Sequence, residues 1–258
     1  MRLIRYRHGN RISYGLFKGE DVFCLAGDVF GEFREGQRVA PLDGVTLLSP
    51  VPPSKIVAVG LNYRDHAEEV GARIPEEPLI FLKPSTAVIG PGEPIIYPPM
   101  SSQVDYEGEL GVVVRRRAAR ISPDEAGNFI LGYTCINDVT ARDLQKKDRQ
   151  WTRAKGFDTF APLGPWIETD LDPRSLKLET FLNGELKQSS NTANLIFDCH
   201  QLVSFVSHVM TLMPGDVIAT GTPSGIGPMS VGDRVDVVIE GIGTLTNTVT
   251  KQHDTPTG

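Results

Sequence analysis

The run Val104-Asp-Tyr-Glu-Gly-Glu-Leu-Gly-Val-Val-Val114 alternates so regularly that it reads as one β-strand. Successive side chains of a strand point to opposite faces, so Val104, Tyr106, Leu110, Val112 and Val114 form a face that must pack on a core. Asp105, Glu107 and Glu109 share the other face. Three carboxylates side by side repel one another, so that face is either a wet surface or the seat of a cation. Gly108 weakens a strand without any packing gain, which implies close approach of something to the backbone and favours the cation.

Moving toward the C-terminus, the apolar run 130–136 leads to Asp138, just before a helix-capping pattern at Thr140-Ala-Arg-Asp143. Strand ends display converging ligands, so Asp138 joins Glu107 and Glu109 as a third oxygen donor. Three carboxylates without cysteine or clustered histidine suit a hard cation, Mg²⁺ or Mn²⁺ first and Ca²⁺ next, with positions open to water or substrate.

Moving toward the N-terminus, Asn62-Tyr-Arg-Asp-His-Ala-Glu-Glu-Val-Gly71 reads as a short helix with a glycine stop. His66 and Glu69 stand three apart on one face, the layout of a general base oriented by a carboxylate; an incidental pair on an exposed helix is the alternative. Lys155, among Trp151 and Phe157, either presents its ammonium to a substrate carboxylate or lies in solvent. The loop from Gly221 to Pro228 lacks the Gly-Lys-Ser/Thr ending of a phosphate loop, yet its amides and the Thr222 hydroxyl suit a carboxylate. His8, His200, His208 and His253 read as structural.

Across the 258 residues, 26 glycines and 19 prolines cut the chain into short apolar segments, so the fold is expected to be mainly β with few helices. Helical spacing is confined to residues 65–70 and 198–213, and tight turns are expected at Pro214-Gly-Asp216 and Gly232-Asp233. The Pro-rich stretch Leu48-Ser-Pro-Val-Pro-Pro53 divides a small N-terminal β-rich domain, residues 1–50, from a catalytic domain, residues 51–258. A net charge of −6 argues against nucleic acid as a partner, and the basic cluster Arg115-Arg-Arg117 with Arg120 reads as a solvated turn. No apolar run approaches the roughly 20 residues of a membrane span and the start does not read as a signal peptide, so a cytoplasmic location without membrane contact is expected. Cys24, Cys135 and Cys199 are too few and too scattered for a disulfide or thiolate framework and read as apolar filler.

The motifs, taken in order, carry a resemblance. Gly60-Leu-Asn-Tyr-Arg-Asp-His66 with Glu69, Phe81-Leu-Lys-Pro-Ser85, Asp105-Tyr-Glu-Gly-Glu-Leu110, Asn137-Asp-Val-Thr-Ala-Arg-Asp143 with Gln145, Lys155-Gly-Phe157 and Gly215-Asp-Val-Ile-Ala-Thr-Gly-Thr-Pro223 together resemble the fumarylacetoacetate hydrolase family, over residues 55 to about 249. The resemblance implies a β-roll or mixed β-sandwich, a homodimer, and Mg²⁺ or Mn²⁺ on Glu107, Glu109 and Asp138. It further implies His66 and Glu69 as a catalytic pair, Lys155 as a carboxylate-binding lysine, and Gln145 and Thr222 as substrate contacts, with the Gly221 amide beside them. Some members carry a further acidic ligand just before the histidine. Val59-Gly-Leu-Asn62 offers none, which is closer to the branch of acylpyruvate hydrolases, oxaloacetate decarboxylases and diene-dioate isomerases. The expected activity is therefore metal-dependent C–C hydrolysis of a small 2,4-dioxo acid through a stabilised enolate, favoured by the intact His66–Glu69 pair. The alternatives are 2-hydroxyhepta-2,4-diene-1,7-dioate isomerisation, oxaloacetate decarboxylation or tautomerisation on the same site, and a non-catalytic metal- or ligand-binding scaffold.

Overall fold

Ile56-Val-Ala-Val59 is apolar at every position because both faces of its strand are covered. Val57 and Val59 enter one core, Ile56 and Ala58 another. The computed structural model describes residues 1–252, so His253 lies outside the described residues. A twelve-stranded mixed sheet organises the chain. Near its middle, Gly108–Val114 pairs antiparallel with Ile130–Asn137 on one side and with Val217–Ala219 on the other. Lys55–Gly60 runs parallel to Val217–Ala219, and Leu79–Pro84 closes that edge.

On the far side, Ala161–Glu168 links Ile130–Asn137 to an N-terminal meander of Arg2–His8, Arg11–Lys18, Asp21–Gly27 and Phe33–Pro41. Arg2 and Leu3 pair with Glu168 and Ile167, so the sheet is continuous across the Pro-rich stretch near residue 50. A five-stranded sheet, in the order Glu185–Asn191, Lys177–Leu182, Arg234–Ile239, Gly243–Lys251, Ile95–Tyr97, packs on one face of the large one. Leu178, Val237, Ile239 and Leu245 from it share a core with Leu110, Val112, Tyr133 and Cys135. Helix Cys199–Val209 adds Leu202, Val203 and Val206 to that core, and its start is fixed by a reciprocal Asp198–Gln201 capping box. Among the described residues no helix is long and apolar enough to cross a membrane.

Two expectations are corrected, and one alternative is excluded. The run 104–114 is not one strand: Val104–Tyr106 belongs to a small sheet with Thr140–Ala141 and Gly227–Met229, and the chain changes sheets at Glu107. The cause is local hydrogen bonding, since the Glu107 and Gly108 amides donate to the Asn137 and Gln188 side chains instead of to a strand. The carboxylate face is therefore not a wet surface, and Asp105, Glu107 and Glu109 are all buried. Thr140 does not cap the helix Arg142–Asp148; it lies in a strand, and its hydroxyl is 2.8 Å from the Asp138 carbonyl and 3.1 Å from Glu107 Oε1.

Gly108 does admit a close neighbour, but the neighbour is protein. A Cβ at position 108 would lie 2.2 Å from Thr180 Oγ1, in the facing sheet. That hydroxyl is buried and has no hydrogen-bond partner among the described residues. Gly108→Ala is accordingly expected to cost about 1–3 kcal/mol of stability by overpacking. Thr180→Ala should restore most of the loss in the double variant, as measured by urea denaturation; additive losses would refute the steric account.

Candidate active site

The change of sheet at Glu107 is what assembles the site. It leaves Glu107 at the junction of two sheets, while Glu109 projects from the adjoining strand Gly108–Val114. Asp138 follows the paired strand Ile130–Asn137, and its amide donates to the Glu107 carbonyl at 2.8 Å. Glu107, Glu109 and Asp138 thus each offer an oxygen within 4.8 Å of the others. All three are buried, Glu109 and Asp138 at 1% exposure.

Such a cluster needs counter-charge, and three cations supply part of it. The Lys155 ammonium donates to Glu107 Oε2 at 2.9 Å and to Asp138 Oδ2. The Lys83 ammonium, fully buried, donates to Asp138 Oδ1 and at 3.1 Å to the Val139 carbonyl. The Arg142 guanidinium spans Asp105 (2.8 Å), Gln145 Oε1 (2.6 Å) and Glu107. Burial alone would raise the carboxyl of Glu107, but Lys155 and Arg142 outweigh it and hold the group down to about 2. Glu109 is the opposite case: burial, then the charges of Asp138 and Glu107, push its carboxyl well above the ordinary range. Its recorded hydrogen-bond donor is a neutral one, the Gly221 amide at 2.8 Å.

The imidazole arrives from the other side. At the end of strand Lys55–Gly60, Leu61 adopts φ +52°, a conformation uncommon for a branched residue, and the chain turns into the helix Arg64–Glu69. His66 Nδ1 lies 2.8 Å from Glu69 Oε2. Glu69 is itself tied down, accepting at Oε1 from the Gly225 amide at 3.0 Å. His66 lines the same cavity, of about 180 Å³, as Glu107, Glu109, Asp138, Arg142 and Lys155.

The residues expected from the sequence converge, though several face partners other than those anticipated. Gln145 and Thr222 also line the cavity. The Gly221 amide, expected to hold a substrate carboxylate, donates to Glu109. Gly221 has φ +99°, and a Cβ there would be 2.8 Å from Asn62 Cβ, so only glycine allows this approach. The Thr222 hydroxyl donates to the Gly108 carbonyl and accepts from Gln188, which leaves it committed to the framework. Lys155 is not in solvent: two carboxylates surround its ammonium, which lines the cavity with one of its three N–H donors still uncommitted among the described residues. Sequence reasoning missed Lys83 and Arg142 as site residues. Lys83 stands two residues after Phe81 in one strand, and so shares the face of a residue that lines the cavity.

The residues fit a divalent cation. Three carboxylate oxygens, with no sulfur or imidazole among them, form a hard donor set. The crowding of Glu109 by Asp138 and Glu107 is the sharper observation, since a buried carboxylate beside two others is stabilised by added positive charge.

Comparison with known proteins agrees with this geometry. The sequence model of the family described as "Fumarylacetoacetate (FAA) hydrolase C-terminal" matches residues 55–250, and one described as "Rv2993c-like, N-terminal" matches residues 1–50. A solved structure of a 2-hydroxyhepta-2,4-diene-1,7-dioate isomerase from Mycobacterium marinum is 46% identical, with a TM-score of 0.92 over 98% of this chain and 100% of that one. An oxaloacetate tautomerase of Bacillus subtilis is 44% identical over 229 residues, 82% of this chain and 76% of that protein. The structure of a maleylpyruvate hydrolase from Sphingobium, in complex with manganese(II) and pyruvate, is 29% identical with a TM-score of 0.81 over 98% of this chain and 100% of that one. With three quarters of its length under the family's own pattern and its fold shared with these enzymes, the chain belongs to the fumarylacetoacetate hydrolase family.

Proposed function

We propose that the chain is a divalent-cation-dependent enzyme that interconverts the keto and enol forms of a small 2-oxo dicarboxylic acid such as oxaloacetate. The observation that carries this reading is the opening of a carboxylate-oriented imidazole and three clustered carboxylates onto one cavity. At about 180 Å³ the cavity is smaller than the range of roughly 300–1,000 Å³ common for ligand pockets, which favours a four-carbon acid over a seven-carbon one. The tautomerase relative acts on such an acid by its name.

A Mg²⁺ or Mn²⁺ ion held by Glu107, Glu109 and Asp138 would supply Lewis acidity toward the 2-oxo oxygen of the substrate. The chain's own groups do the rest. Glu69 can only accept a hydrogen bond, so His66 carries its proton on Nδ1 and keeps the Nε2 lone pair. Nε2 removes a proton from C3, which leaves an enolate, and delivers that proton to the C2 oxygen to complete the enol; in the reverse direction it takes the hydroxyl proton and returns it to C3. With all four acids ionised, as ion binding requires of Glu109, buried Asp105, Glu107, Glu109 and Asp138 outnumber Lys83, Arg142 and Lys155 by one charge. A divalent ion turns that balance positive, which suits an anionic substrate.

A second reading, C–C hydrolysis of an acylpyruvate, uses the same base on a water molecule. It is supported by the His66–Glu69 geometry and by the hydrolase relative.

Keto–enol exchange of oxaloacetate, followed by ultraviolet absorbance, is expected to be accelerated with Mg²⁺ or Mn²⁺ and to fall to background in chelator. No acceleration at stoichiometric enzyme would overturn the first reading, and release of pyruvate from acetylpyruvate would favour the second. His66→Ala should lower kcat by about 10²–10⁴ while Mn²⁺ affinity stays unchanged. Equal rates in variant and parent would remove His66 from the chemistry.

Glu109 gives a test that involves no turnover. Its carboxyl is held above the ordinary range in the folded chain, so folding favours the protonated form. In chelator, the stability this contributes is present below the ordinary carboxylate range and lost as pH rises through the folded value. Glu109→Gln should therefore raise Tm in chelator at neutral pH, about 2–4 °C for each kcal/mol recovered, and should abolish the Tm increase on adding Mn²⁺. A variant that still responds to Mn²⁺ like the parent would exclude Glu109 as a ligand.

A further inference from the structure

We infer that Trp151, seated on Gly60 and braced by Phe81, sets the length of acid that the cavity accepts; this rests on the reading of that cavity as the substrate pocket. Helix Arg142–Asp148 ends at Arg149, whose φ of +60° turns the chain, and Trp151 then caps the short helix Thr152–Lys155. The indole lands against the backbone of Gly60. A Cβ at position 60 would lie 2.9 Å from Trp151 Cζ3 and 3.1 Å from Cη2, so the missing side chain is the seat of the ring. Phe81 meets the indole edge to face, with centroids 5.2 Å apart and planes at 75°. The Lys155 ammonium stands 4.9 Å from the Phe81 centroid, which ties the aromatic wall to the charged floor.

The cavity is lined by two kinds of group: the carboxylates, Arg142, Gln145 and His66 are charged or polar, whereas Val59, Leu61, Phe81 and Trp151 are apolar. The cations are already engaged, Lys83 and Lys155 by carboxylates and Arg142 by Asp105, Glu107 and Gln145. A seven-carbon dioate anchored by its 2-oxo acid end has to seat a second carboxylate against the apolar lining. There it would lose water without gaining a partner, a costly exchange for a charge. Trp151 therefore rejects long diacids by both bulk and polarity, while a four-carbon acid stops short of it.

The test compares oxaloacetate with 2-hydroxyhepta-2,4-diene-1,7-dioate, both with Mn²⁺, in the parent, Trp151→Ala and the milder Trp151→Leu. Turnover and calorimetric affinity are measured for each acid, and the Mn²⁺-induced Tm shift shows that the carboxylate cluster is intact. Truncation at Trp151 should raise the long-to-short ratio of kcat/KM, and of affinity, about tenfold or more. Gly60→Ala, which pushes the indole into the cavity, should weaken even the short acid. An unchanged ratio in variants that keep the Mn²⁺ response would overturn the assignment. If the parent turns over neither acid but the affinity ratio still shifts, the wall stands and the catalytic reading falls.

Discussion

Four carboxylates held in one small region of a protein interior strain everything around them. Unpaired buried charge costs several kcal/mol per ion, whereas paired and hydrogen-bonded charge is tolerated. Asp105, Glu107 and Asp138 meet that condition by drawing in Lys83, Arg142 and Lys155 from three separate segments, while Glu109 accepts from the Gly221 amide. Much of the local architecture follows from this. Arg142 begins a helix so that its guanidinium can span two acids, and a lysine sits at full burial in an edge strand of the large sheet.

The two large sheets carry the stability, and the chemistry sits where the twelve-stranded sheet meets the small three-stranded one. Apolar residues alternate cleanly between two cores along Lys55–Gly60 and Gly108–Val114, which makes these strands rigid supports. The functional groups are placed where strands end or change sheets: Asp138 after one strand, His66 after another, Glu107 at the crossover. Precision then comes from the scaffold, and adaptability from the turns that leave it.

Much of this was legible in the residues. Short apolar runs punctuated by glycine and proline marked the mainly β fold, and helical spacing brought His66 and Glu69 to one face as the 2.8 Å contact requires. Glu107 and Glu109 were recognisable because strand alternation put acids side by side on one face, and Asp138 because it follows the end of an apolar run. Their counter-ions were not, since Lys83 and Lys155 lie 55 and 17 residues from Asp138 and nothing local reveals the pairing. The break at Glu107 was hidden for a similar reason: it depends on the Asn137 and Gln188 side chains, which come from distant strands. Strand Ala161–Glu168 carries Pro162 and Pro165, residues that argue against a central strand, yet it joins the N-terminal meander to the rest of the sheet. Gly108 was rightly singled out as a point of close approach, but Thr180 is what approaches.

Gly225 links the imidazole's partner to the smaller sheet. Its amide holds Glu69, its carbonyl accepts from the Tyr106 hydroxyl, and its α-carbon presses so closely on Lys187 that a Cβ would lie 2.1 Å from that residue's carbonyl. The orientation of His66 is thereby set by the docking of strand Glu185–Asn191, which also touches the helix that bears the ring, the Ser190 hydroxyl donating to Asp65. Loosening of that layer under mild denaturant or heat would set the ring adrift, and through Gln188, which holds the Gly108 amide between Glu107 and Glu109, it would disturb the carboxylates as well. Base and acidic cluster therefore lean on one support, and losing that strand silences both at once.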